Sequence, residues 1–303
     1  MIFRLLTAGM ILVLCACGHG PVPDAAYNPN APARTPVGRT AVLETGGARI
    51  VTHTLGDGPE IVMFASAGRE ASDFNELAEG LAADGFRVTL LEAPGIRGAK
   101  ASAETPTLFD LAADIGLYLK TREGPVIVIG HAFGNRLARA VATQHPGKVR
   151  GAVLLAAGGL KPIPPDAAKA LRDSFDPRLS PEAHRAAVRY GFFAEGNPVP
   201  DYWLRGWHIA TGELQGAATR ATGSRLWWTA AGKPMLVISG LKDTIAPPED
   251  TVDLLEAELG GQVTAVRIAQ AGHALLPEAP EEIRAAIRDW LAALETPQAK
   301  TSP

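Results

Sequence analysis

The stretch Pro125-Val126-Ile127-Val128-Ile129-Gly130-His131-Ala132-Phe133-Gly134-Asn135 decides the fold. Its first six residues form an unbroken apolar run, the pattern of a strand buried on both faces of a sheet. The next segment, Phe133 to His145, reads as a helix stopped by Pro146. Between them lies a glycine-bracketed turn. In the G-x-S-x-G arrangement such a turn lifts its middle side chain above the sheet, where a serine can act as a nucleophile. Here the middle residue is Ala132. A methyl group can neither attack a carbonyl nor hold a proton, so any chemistry must come from other residues.

Working outward, strand-like and helix-like segments alternate on both sides. Ala41–Glu44 and Arg49–Thr54, split by Gly46-Gly47, predict a hairpin. Glu60–Ala65, Phe86–Glu92, Val149–Ala156, Pro234–Ser239 and Val263–Ala269 predict further strands. Helices are expected over Ala71–Ala83, Leu108–Lys120, Pro248–Leu259 and Glu281–Leu294. Such alternation implies a mostly parallel sheet with helices on both faces. It breaks between Leu160 and Ala231, a stretch rich in Pro and Gly that holds Trp203, Trp207, Trp227 and Trp228. An insertion of this kind would fold as a helical lid over the C-terminal edge of the sheet, where open α/β sheets bind ligands.

The composition fits one large domain: 303 residues, 47% hydrophobic and 20% charged, with a net charge of −3. No basic run is present, which argues against nucleic-acid binding. Residues 1–16 read as a lipoprotein-type signal peptide, with Arg4 ahead of the apolar run Leu5–Leu14. Leu14-Cys15-Ala16-Cys17-Gly18 is similar to the lipidation signal of bacterial lipoproteins, which makes Cys17 the acylated residue. That resemblance implies an envelope address, on the periplasmic side of the outer membrane because Gly18 is not aspartate. Residues 17–40 carry five prolines and are expected to be a lipid anchor and extended tether. The domain then covers 41–295, with the lid at about 160–231 and a tail at 296–303.

Four segments together resemble the α/β-hydrolase superfamily. They are the altered elbow at Gly130–Gly134, the loop Pro94-Gly95-Ile96-Arg97-Gly98 after a strand, Ser239-Gly240-Leu241-Lys242-Asp243, and Ala271-Gly272-His273 with Pro277-Glu278 beyond it. Elbow, acid and histidine follow in the family's chain order. The resemblance implies an eight-stranded α/β-hydrolase fold, with His273 as base and Asp243 orienting it. It also implies an oxyanion hole from the backbone N–H groups of Phe133 and Ala67. The loop Ala65-Ser66-Ala67-Gly68-Arg69 departs from the family's usual His-Gly start. Ser66 and Arg69 are therefore candidate substrate contacts, although backbone satisfaction for Ser66 and a solvated charge for Arg69 are the plainer expectations. His131 and Asn135 read as structural. Trp203 and Trp207, with Tyr190, Phe192, Phe193 and Tyr202, could line an apolar pocket, or bury the lid against the core.

The expected activity is hydrolysis of a small apolar or aromatic ester-like substrate by a His–Asp base without the serine. A silent ligand-binding protein, or a cofactor-free lyase or oxygenase using the same dyad, stays open. No metal or cofactor motif is present, and the only membrane contact expected is the lipid anchor.

Overall fold

The computed structural model describes residues 27–295. The signal peptide, Cys17 and the tail lie outside the described residues. Eight strands form one sheet: β1 (Arg39–Thr45), β2 (Ala48–Leu55), β3 (Glu60–Phe64), β4 (Arg87–Leu91), β5 (Val126–His131), β6 (Val149–Leu155), β7 (Met235–Gly240) and β8 (Val263–Ile268). Their spatial order is β1-β2-β4-β3-β5-β6-β7-β8. The β1–β2 and β2–β4 pairs are antiparallel and all others are parallel. The β1–β2 hairpin turns on Gly46 and Gly47, both at positive φ, as a two-residue loop between twisted strands requires.

Strand β5 explains the apolar run. Val126 and Val128 pack into the core on one face of the sheet, Ile127 and Ile129 into the core on the other. Helices α2 (Leu108–Lys120) and α3 (Phe133–Gln144) cover the first face. Helices α1 (Asn75–Ala83) and α8 (Pro280–Glu295) cover the second. A capping box between Thr107 and Asp110 fixes the start of α2. The helix expected over Ala71–Ala83 opens instead with a 3₁₀ turn at Ala71–Phe74, and Pro248–Asp250 forms another before α7 (Val252–Leu259). Short first turns of this kind tighten helix starts whose donors lack partners.

The insertion contributes α4 (Pro165–Asp173), α5 (Pro181–Phe192) and α6 (Ile209–Arg220). Its own small core gathers Val188, Phe192, Phe193, Trp203, Leu204 and Trp207 with Ile245 and Ala274 of the main domain. Residues 27–38, expected as part of the extended tether 17–40, lie along this domain, and Arg39 and Thr40 already belong to β1. Trp207 N–H donates to Pro29 O (2.9 Å), Gly206 N–H to Ala31 O (2.7 Å), and Val37 N–H to Asn75 Oδ1 (3.0 Å). The segment cannot fold by itself, but its backbone groups find partners on the lid and on α1. Among the described residues no helix is long and apolar enough to cross a membrane.

Candidate active site

The elbow is fully built around Ala132, at φ 50° and ψ −108°. Non-glycine residues seldom occupy that region, and holding one there costs on the order of 1–3 kcal/mol. The bracketing glycines are required by contact. A Cβ on Gly130 would lie 2.0 Å from Gly134 O, and one on Gly134 would lie 2.0 Å from Phe64 O. Ala132 N–H donates to Leu155 O (3.0 Å), tying the turn to β6. The amide of Phe133 opens α3, so it is one of the donors a helix leaves without an internal partner.

The loops after β7 and β8 bring Asp243 and His273 together. His273 Nδ1 lies 2.8 Å from Asp243 Oδ2, and both side chains are buried. Asp243 Oδ1 accepts from the N–H groups of Ile245 (2.9 Å) and Ala246 (2.7 Å), which lock the carboxylate in place. Acceptance from Nδ1–H leaves the lone pair on Nε2, and that nitrogen makes no hydrogen bond to the described residues. Glu278 braces the histidine loop. It accepts from Gly272 N–H and Ala194 N–H, both at 2.8 Å, joining that loop to the lid. Burial raises the Glu278 carboxyl above its ordinary pKa.

His131 is fully buried and stacks 5.5 Å from the His273 ring. Its Nε2 donates to His273 O (2.7 Å), so Nδ1 carries no proton. Burial first, and then the neighbouring His273, depress its pKa to about 3. The imidazole is a neutral strut, as expected. Asn135 also takes its expected place, donating to Ala132 O within the turn.

Ala132, Phe133, Ser66 and His273 line one cavity of about 130 Å³, closed by Ile163, Leu171 and Phe192 of the lid. Ser66 is nearly buried, and its hydroxyl makes no hydrogen bond among the described residues, contrary to the backbone role expected. From this loop it is Ser66, rather than Ala67, that reaches the cavity wall. Arg69 N–H bonds back to Ser66 O (3.1 Å), closing a turn in this loop.

Three expected substrate contacts lie elsewhere. Arg69 is fully buried, bonded through Nε and Nη2 to both oxygens of Asp73 at 2.8 Å. It is neither a solvated charge nor an anion site, because Asp73 already occupies its fork. Trp203 and Trp207 both lie against that guanidinium, each 4.6 Å away, and pack with Phe192 in the lid core. Phe192 alone of the lid aromatics named above lines the cavity. Tyr202 stacks on Arg34, and Tyr190 is half exposed on the outer surface of the lid.

The sequence reading missed Arg136, which also lines the cavity. It stands four residues after Ala132 and three after Phe133, on the same face of α3. Helical periodicity alone could have found it.

This strand order, with a tight strand-to-helix turn below a buried His–Asp pair, defines the α/β-hydrolase fold. The sequence pattern of the alpha/beta hydrolase family matches residues 50–286, and the chain belongs to that family. A pimeloyl-[acyl-carrier protein] methyl ester esterase of Chromobacterium violaceum is 35% identical over 109 residues. That match spans 35% of this chain and 40% of the relative. Among solved structures, an esterase from Thermogutta terrifontis is similar with a TM-score of 0.67 and 22% identity, over 85% of this chain and all of that one (100%). Carboxylesterase CesB from Bacillus subtilis gives a TM-score of 0.68 at 14% identity, over 84% and 92% of the two chains. At these identities the two structures speak for the fold alone.

Proposed function

We propose that the protein is a hydrolase of a small ester-like substrate in which His273 activates water in place of a serine. One observation carries this reading. His273 is oriented by Asp243 at 2.8 Å and lines the same cavity as the serine-less elbow, with no hydrogen-bond partner for Nε2 among the described residues. In this mechanism Nε2 removes a proton from water as the water oxygen bonds to the ester carbonyl carbon. Phe133 N–H, at the positive end of α3, stabilises the developing oxyanion. The tetrahedral centre then collapses. The alkoxide leaves with the proton from Nε2–H, and acid and alcohol are the products. Asp243 holds the tautomer and stabilises the imidazolium without taking the proton itself. The ester chemistry named for the Chromobacterium relative supports the same substrate class.

A panel of short-chain esters tests the reading. Native hydrolysis is expected to fall at least a hundredfold in His273→Ala, the lower range for losing a general base. Ala132→Ser, which returns a hydroxyl to the elbow, is expected to raise turnover at least tenfold. Native turnover that survives His273→Ala overturns the mechanism. No native turnover, together with a gain in Ala132→Ser, favours a silent ligand-binding fold. The free Ser66 hydroxyl in the cavity favours a second reading in which it is the nucleophile. Labelling of the native chain by a fluorophosphonate, lost in Ser66→Ala, would establish that reading.

We further propose export and lipidation at Cys17. The reading rests on the residue pattern of the first eighteen positions. Incorporation of a labelled fatty acid that disappears in Cys17→Ser is the expected result.

A further inference from the structure

The wall of the cavity formed by α3 carries positive charge that no carboxylate among the described residues pairs with. Arg136 lines the cavity, and its guanidinium makes no hydrogen bond or ion pair among the described residues. Its Nε is sealed from solvent without a partner. One helical turn deeper, Arg139 is fully buried against the rings of Trp227 and Trp228, 4.6 Å from each. Among the described residues it bonds only to neutral oxygens, those of Asn135 and Gly158, and its Nη1 has no partner. Burial lowers the pKa of both, and Arg136 adds to the pressure on Arg139. A guanidinium starts so high that both remain charged.

Elsewhere the protein treats buried cations differently: Arg69 has both oxygens of Asp73. Leaving a buried cation unpaired costs several kcal/mol, whereas an Arg fork recognises a carboxylate or phosphate through two parallel bonds. Lys161 stands exposed at the rim of the same cavity. Asp250, the acid in its lining, forms no ion pair with Arg136. The α3 N-terminus adds partial positive charge on the same side. The apolar remainder of the lining, Ile163, Leu171, Phe192 and Ile245, suits a short hydrocarbon body.

We infer that Arg136 is a specificity-determining residue that binds an anionic oxygen group, a carboxylate or a phosphate, on the ligand of this cavity. The substrate class becomes a short ester whose far end is negatively charged. Calling that ligand a substrate rests on the hydrolase reading; anion binding itself does not.

The test is calorimetric titration of the full chain with monomethyl glutarate and its neutral counterpart dimethyl glutarate, on the His273→Ala background so that nothing turns over. Glutarate and inorganic phosphate form separate arms. The half-ester is expected to bind at least tenfold tighter than the diester. Arg136→Gln should remove that preference, and Arg136→Lys should keep part of it as a point charge. Binding of glutarate but not phosphate names a carboxylate, and the reverse names a phosphate. Equal binding of half-ester and diester by the parent, a comparison that needs no Arg136 variant, overturns the inference. So does an undiminished preference in Arg136→Gln, or failure of every anion to bind at millimolar concentration. Anion binding without any ester hydrolysis by the native chain would sink the hydrolase reading alone.

Discussion

Arg69 and Arg139 each lie against a pair of tryptophan rings, 4.6 Å from both, an aromatic clamp in each case, yet only Arg69 faces a carboxylate. The Arg69 clamp, built from Trp203 and Trp207, welds the lid to the loop after β3. Its charge is neutralised four residues away by Asp73, which the 3₁₀ turn presents at the right height. The Arg139 clamp, built from Trp227 and Trp228, sits under the α3 wall of the cavity. There carbonyl and amide oxygens stand in for an anion. The aromatic faces are the same, and the chemistry differs by one carboxylate. A closed clamp is architecture, whereas an open one leaves field for a ligand.

The largest effect should come from breaking the neutral clamp. Asp73→Asn leaves Arg69 buried without its counter-charge and is expected to cost about 3–5 kcal/mol in urea unfolding. Replacing Arg139 by Met strands no carboxylate, so its loss should stay under about 2 kcal/mol despite the oxygens left unbonded. Equal costs for the two variants would erase the distinction between the clamps.

A pH series sharpens where charge is tolerated. His131 binds a proton near pH 6.5 when unfolded, but only near pH 3 when folded. The unfolded state therefore holds more protons between those values, and stability falls as pH drops through 6.5. His131→Gln should flatten that acid limb by about 2 kcal/mol between pH 7 and pH 5, read from unfolding midpoints. An unchanged limb would mean His131 titrates normally inside the protein. The smallest effect belongs to the surface. Glu76→Ala removes the Arg34–Glu76 pair, whose carboxylate is half exposed. The expected cost is at most about 1 kcal/mol, because water screens such pairs.

Much of the fold is legible in the amino-acid sequence. The apolar run ending at Gly130, the glycine pair in the hairpin and the strand–helix alternation are local patterns, and local sterics and burial enforce them. Asp243 and His273 were legible for a related reason: each follows a strand whose end lies at one edge of the sheet, so chain order alone brings their loops together. For Trp203 and Trp207 the sequence leaves pocket and packing both open, and the structure packs them. An aromatic side chain serves a pocket wall or a small core equally well, and only packing chooses between them. Arg69 was misread for the same reason, although Asp73 stood four residues on and could have signalled a pair.

The chain by itself therefore determined the sheet, the elbow with its alanine and the two loops that meet above it, because period, glycine contact and strand order act over short distances along the backbone. Only the tertiary structure decided which arginine was answered and which was not, which hydroxyl faced the cavity, and that residues 27–38 lay down on the domain. Those outcomes depend on which distant groups share a buried space, and charge is tolerated there only in proportion to the partners that folding brings within reach.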